Sequence, residues 1–263
     1  MVKSLVSTAL LLCAGTLPSA AESPAPSVEK TPPPVPQAPA STQKAASSTA
    51  SPPATSAPAI KSLGGPRHEL NGITFNEDTR AITLPALVNM TEGLLEYALV
   101  HEAGKAHESL LTTTISPYDL NVVLLLLNYQ PAATFFDFSD KKAGAMLVKN
   151  PKIAPAAQLT VSLSWQDAAG KPQTADLPSL LLNADQKAPV TPGPFTYTGS
   201  FLTVDGIFMA KETGSILALY VDAAALINNP RPGSENDDIW LPDKSKIPPK
   251  GTPLTVTLTP AAK

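Results

Sequence analysis

Apolar and polar positions in this chain alternate in short runs broken by turn-forming residues, a pattern that predicts many strands and few helices. Ile73-Thr74-Phe75 and Ala81 to Val88 are β-branched or aliphatic runs on either side of the polar segment Asn76-Glu77-Asp78-Thr79-Arg80, and read as a hairpin. Leu94 to Val100 and Ala106 to Ile115 flank Glu102-Ala103-Gly104-Lys105, whose glycine is free to take positive φ, and predict a second hairpin. Period-2 alternation puts Leu95, Tyr97 and Leu99 on one face, and Ser109, Leu111 and Thr113 on one face of the partner strand. Further strands are predicted at 159–165, 174–182, 196–204, 207–210, 216–221 and 254–258, with Asp167-Ala168-Ala169-Gly170-Lys171 as the turn joining the first two.

Helical spacing is clearest after Ser116-Pro117-Tyr118-Asp119, which offers a hydroxyl cap, a proline at the first helical position and an acid able to reach back to the cap. Leu120, Val123, Leu124 and Leu127 form its stripe, and Leu125 and Leu126 widen it, so a long buried helix is expected over about 117–128. Asp222 caps a short helix at about 223–228, ended by Asn229-Pro230. The expected fold class is therefore α+β: a mainly antiparallel sheet carrying one long and one short helix. No βαβ alternation argues for parallel strands.

At the N-terminus, Lys3, the apolar run Leu5 to Leu17 and Ser19-Ala20-Ala21 match the three regions of a secretory leader, which assigns residues 1–21 to a signal peptide cleaved before Glu22. The apolar run is too short to span a bilayer, so no transmembrane helix is expected after cleavage. Cys13 follows Leu10-Leu11-Leu12, but the residue before a lipidated cysteine is normally small, which argues against a lipoprotein anchor at Cys13. The expected location is periplasmic or extracellular. Residues 22–62 hold proline, alanine, serine and threonine with few larger aliphatics, a composition that cannot bury enough apolar area to offset its ordering entropy. They read as a disordered linker biased to an extended polyproline II spacer, leaving 63–263 as a single globular domain.

Composition narrows the function classes. Nineteen basic and 22 acidic residues leave no cationic excess for phosphate backbones, so nucleic acid is not an expected partner. The single cysteine excludes a disulfide framework, and its place in the leader leaves the mature chain without a thiolate nucleophile or an iron–sulfur cluster. No cofactor is expected.

Chemistry-bearing residues gather around the second expected hairpin. With a three-residue loop, Ala103 to Lys105, His101 and His107 face each other with Cβ atoms about 5 Å apart and become candidate metal ligands; a two-residue loop breaks the pair. His107 and Glu108 are the candidate acid and base, although adjacent strand residues point to opposite faces. The architectural alternative has Glu108 pair with Lys105 to fix the hairpin. Ser109, Asp119 and His107 supply triad residue types without a Gly-x-Ser-x-Gly elbow. Lys105, Ser109, Trp165 and Asp167 are the candidate ligand-binding residues. Trp165 and Trp240 offer aromatic faces to a sugar or serve as core anchors. The acidic run Glu235-Asn236-Asp237-Asp238, with Asp243 beyond it, lacks calcium-loop spacing and reads as a solvated loop.

Gly93-Leu94-Leu95-Glu96-Tyr97, followed by Gly104-Lys105-Ala106-His107-Glu108-Ser109-Leu110-Leu111, resembles the YdjY domain family of exported bacterial proteins. The likeness continues through Trp165-Gln166-Asp167 with Gly170-Lys171, Phe195-Thr196 with Gly199-Ser200-Phe201, and Pro248-Pro249 with Gly251-Thr252-Pro253-Leu254-Thr255-Val256, covering roughly residues 68–260. This resemblance implies a compartment and no reaction. Some members carry a ferredoxin-like label, which a thiol-free mature chain cannot fulfil. The expected function is a tethered non-enzymatic module that binds an envelope protein or a cell-wall component; the alternative is a small hydrolase or metal-dependent enzyme using His107 and Glu108.

Overall fold

A computed structural model describes residues 59–139 and 145–261. The leader and nearly all of the stretch read as linker lie outside the described residues. In chain order the strands and helices are β1 (Lys61–Gly64), β2 (Arg67–Leu70), β3 (Ile73–Asn76), β4 (Ile82–Val88), β5 (Tyr97–His101), β6 (Ser109–Thr113), α1 (Pro117–Leu126), β7 (Phe136–Asp137), β8 (Met146–Leu147), β9 (Gln158–Gln166), β10 (Pro172–Asp176), β11 (Leu181–Asn183), β12 (Ala188–Pro189), β13 (Phe195–Tyr197), α2 (Met209–Thr213), β14 (Ser215–Ala218), β15 (Ile227–Asn228), β16 (Trp240–Pro242) and β17 (Pro253–Pro260).

Eight of these strands close on themselves in the order β4-β17-β9-β13-β15-β14-β5-β6, with β6 returning to β4. The fold is thus a β-barrel, with β1 to β3 continuing from β4 and β10 paired to β9; the expected α+β sheet with a long buried helix is incorrect. Alternation dictates what fills the interior. Ile82, Leu84, Ala86 and Val88 of β4, Leu159, Val161 and Leu163 of β9, and Leu254, Val256 and Leu258 of β17 are all buried, and Leu84, Val256 and Leu163 form one row across three strands.

Closure depends on one edge of β4 serving two partners: Thr74 and Phe75 of β3 pair with Thr83 and Ile82, while Thr112 and Leu111 of β6 pair with Leu87 and Val88. Pro85 sits at the handover. Its carbonyl accepts a hydrogen bond from Thr113 Oγ1 (2.6 Å), so the β6 edge is also where its missing N–H would point, at the gap between the two partner strands.

The helix is shorter and less buried than its sequence predicts. It ends at Leu126, with Leu125 and Leu126 half exposed, and only Pro117, Leu120, Val123 and Leu124 buried within it. Burying each of those leucines and the valine contributes about 2 kcal/mol. Asn128 turns the chain at φ +58°, and Arg80 caps the end by donating from Nε to Leu127 O (2.7 Å) and from Nη2 to Asn128 O (3.0 Å). At the start Ser116 makes no side-chain cap bond, and Asp119 accepts from Asn71 Nδ2 (2.9 Å) instead of reaching back.

Three further expectations fail. Residues 223–228 are not helical: Asp222 Oδ1 caps a tight turn through Ala224 N (2.8 Å), and Ile227–Asn228 is strand β15. Helix α2 replaces part of the strand expected at 207–210, stopped by Gly214 at φ +73°. The strand expected at 196–204 ends at Tyr197, because Gly199 and Ser200 both take positive φ (80° and 58°). The hairpins around 76–80 and 167–171 form as predicted.

Candidate functional site

The segment carrying most candidate residues is not a hairpin. β5 and β6 run parallel, with Tyr97 opposite Ser109 and His101 opposite Thr113, so residues 102–108 must carry the chain back along the strand pair before β6 begins. Parallel neighbours ordinarily need a longer connection. Here the crossover is compacted by a 3₁₀ turn, Ala106–Glu108, and held by Asn89, whose Nδ2 donates to Ala106 O (2.5 Å) and Ser109 O (2.8 Å). His101 and His107 therefore never face each other. His101 Nδ1 accepts from Ala103 N (3.1 Å), whereas the His107 side chain is 80% exposed with Nε2 3.7 Å from Glu108 Oε2.

The other crossover residues are absorbed by their neighbours. Lys105 Nζ donates to Tyr97 Oη (2.5 Å), lies over that ring (4.8 Å) and stands 4.0 Å from Glu108 Oε1. Tyr97 Oη in turn donates to Asp222 Oδ2 (2.8 Å); burial first, and the Asp222 charge second, push its pKa well above the usual tyrosine range. Ser109 is fully buried and donates from Oγ to Leu111 O (2.8 Å). Asp119 is bonded to Asn71, so Ser109, Asp119 and His107 form no relay.

Glu96, just before β5, is a carboxyl placed in local conflict. Burial and the neighbouring Glu108 charge raise its pKa above 4.5, with Lys105 opposing. An acid with a raised folded pKa destabilises the fold once the unfolded chain ionises: stability falls as pH climbs through 4.5 and stays lower above the folded value. Glu96→Gln is therefore expected to raise the melting temperature by about 2 °C at neutral pH, and not at all near pH 3.5, read by calorimetry at both values.

Trp165 and Asp167 lie at the β9–β10 end. Trp165 shares the face of Leu163, opposite Leu254 and Gln173, and packs against the core as an anchor. Asp167 organises the turn, accepting from Lys171 N (2.9 Å), Ala169 N (3.0 Å) and Gln173 Nε2 (2.8 Å); foremost the Lys171 N–H holds its carboxyl below the usual range. In the acidic run Glu235, Asp237 and Asp238 are exposed, and Asp243 accepts from Ser245 Oγ (2.6 Å) and pairs with Lys246 (3.0 Å). Among the described residues no three histidine, cysteine or acidic side chains converge as a metal set. No described helix is long and apolar enough to cross a membrane.

What the fold does bring together is a cleft of about 290 Å³ lined by His101, Ser116, Lys211 and Glu212 beside Gly104 and Gly214. His101 comes from the end of β5, Ser116 from the start of α1, and the charged pair from α2. Because Nδ1 of His101 is occupied as an acceptor, its Nε2 is the nitrogen left to donate. Sequence reasoning missed Lys211 and Glu212, which it left between strands expected at 207–210 and 216–221; the signal was Gly214, which follows a short run of helix formers as a C-terminal stop.

Against known proteins, no curated protein and no solved structure matches the chain. The YdjY domain profile matches residues 73–259, running from β3 to the penultimate residue of β17 and so taking in the whole barrel. The chain belongs to the YdjY domain family.

Proposed function

We propose that the protein is an exported, linker-tethered, non-enzymatic binding module of the cell envelope, working without a metal or an iron–sulfur cluster, with an envelope protein or cell-wall component as its partner. The observation that carries this reading is how the nominated polar groups are used: Glu108 pairs near Lys105, Ser109 bonds its own strand, and Asp167 builds a turn. His107, exposed beside Glu108, lies outside the cleft of about 290 Å³. The leader-like residues 1–21 and the proline-rich 22–62 support export and reach.

A second reading, hydrolysis, is favoured by the cleft in which His101, Ser116, Lys211 and Glu212 converge. Complementation separates the two. In a strain lacking the chain and challenged with detergent, the wild type and the His107→Ala/Glu108→Gln variant are expected to restore growth equally, and fractionation to place a form beginning at Glu22 in the envelope. Loss of complementation by His101→Ala or Glu212→Gln, with melting unchanged and with loss of cell-wall fragment hydrolysis by the purified protein, would favour the hydrolytic reading instead.

A further inference from the structure

A second cavity, away from the crossover, has the chemistry of a binding site. It measures about 260 Å³ and lies where the small sheet β12-β11-β16 meets the segment after β15, with Asn183, Val190, Arg231, Pro232 and Trp240 in its wall. Asn183 and Trp240 are cross-strand partners on β11 and β16, so their spacing is fixed by the ladder.

Every polar group the argument needs is a donor. Arg231 donates from Nε to Thr191 O (2.7 Å), from Nη2 to Gly193 O (2.6 Å) and from Nη1 to Asn229 Oδ1 (3.0 Å), with its guanidinium 4.7 Å over the Phe195 ring. A guanidinium carries five N–H groups, so two remain after these three bonds. All three acceptors are neutral, and among the described residues no carboxylate lies within 4.0 Å of it. Burial pulls its pKa down to about 10, leaving it charged at neutral pH. Asn183 is 4% exposed; its Oδ1 accepts from Gln186 N (3.0 Å), and its Nδ2 donates to no described group. The Trp240 indole N–H is buried with no acceptor. A partly buried cation without a counter-ion costs free energy that a bound anion would recover.

We infer that this cavity binds a small carboxylate with an apolar body. The planar guanidinium fork matches a carboxylate, one cation balances a monoanion better than a phosphate dianion, and Val190, Pro232 and the Trp240 ring supply apolar walls. The carboxylate is that of a free acid or of a peptide C-terminus, which share this chemistry. The assignment deepens the binding-module reading and rests on it in one respect, that the ligand is held and not turned over.

The test uses the two indole N–H resonances of the full chain, Trp165 and Trp240. Millimolar 4-methylpentanoate, or acetylglycyl-leucine with a free carboxylate, is expected to shift Trp240 and leave Trp165 in place, while 4-methylpentanamide shifts neither. The tighter of the two acids identifies the source, and either result supports the site. Asn183→Asp keeps the acceptor for Gln186 N but turns a charge against the ligand; it is expected to weaken binding at least roughly tenfold with melting unchanged or higher. No Trp240 shift with either acid, an equal shift with the amide, or full binding by Asn183→Asp would overturn the site. Recovering the acid chemically altered overturns the non-enzymatic reading and leaves the site standing; recovering it intact supports both.

Discussion

Gly214→Ala is expected to destabilise the protein by about 3 kcal/mol, and Gly104→Ala by a similar amount, because each would drive a methyl group into backbone that has nowhere to go. A Cβ on Gly104 would lie 2.7 Å from Thr213 O and 3.0 Å from Gly214 Cα; one on Gly214 would lie 2.9 Å from Gly104 Cα, at a φ of +73° that alanine already resists. The contact fastens the crossover to the strand beside it, since His101 N donates to Gly214 O (2.8 Å) directly alongside. Gly206→Ala is the control: φ is also positive (+79°), but nothing lies within 4 Å, so only the conformational term of about 1 kcal/mol applies. Urea denaturation should rank both contact variants well below the control. Equal losses at Gly214 and Gly206, with none at Gly104, would show that φ alone matters and that the crossover is not wedged in place.

The second large effect belongs to Asn228, a fully buried amide whose three side-chain hydrogen bonds tie β15 to the Asp222 turn and Thr198. Its Oδ1 accepts from Asp222 N (2.8 Å), and its Nδ2 donates to Asp222 O and to Thr198 Oγ1 (both 2.9 Å). Asn228→Ala strands the Asp222 N–H without a partner, takes one bond each from Asp222 O and Thr198 Oγ1, and opens a cavity, for an expected loss of about 3 kcal/mol. The damage should spread to the crossover, because Asp222 also receives the Tyr97 hydroxyl. Amide hydrogen exchange is the measurement: faster exchange at residues 222–225 together with 105–109 is expected, and acceleration confined to the turn would sever the two.

These positions show where sequence reading stops. The β3–β4 and β9–β10 hairpins were legible because their turns carry their own chemistry: Asn76 Oδ1 accepts from the N–H groups of Asp78 and Thr79, and Asp167 does the same for its turn. Gly104 sent the opposite signal. In a hairpin turn a glycine supplies positive φ, whereas here it supplies the absence of a side chain against Gly214, a residue far along the chain. Barrel closure was equally hidden, since Pro85 reads as a weak point in a strand until β3 and β6 are known to divide its edge. The antiparallel pairing expected around the crossover was wrong, because parallel pairing moves His101 beside Thr113 and away from His107. Asn183, Arg231 and Trp240 carry no motif at all; the ladder between β11 and β16 makes Asn183 and Trp240 neighbours, and the segment after β15 brings Arg231 to the same cavity.

The position of β17 has a consequence for biosynthesis. This strand, late in the sequence, is the stave between β4 and β9, paired to both along most of its length. A nascent chain that lacks it presents two unsatisfied ladder edges, and the apolar rows of β4 and β9 have no partner between them. Closure must therefore wait for nearly the whole domain, which makes folding a late, non-local and comparatively slow event. Until then the open staves of β4 and β9 can pair with those of another copy as readily as with their own β17.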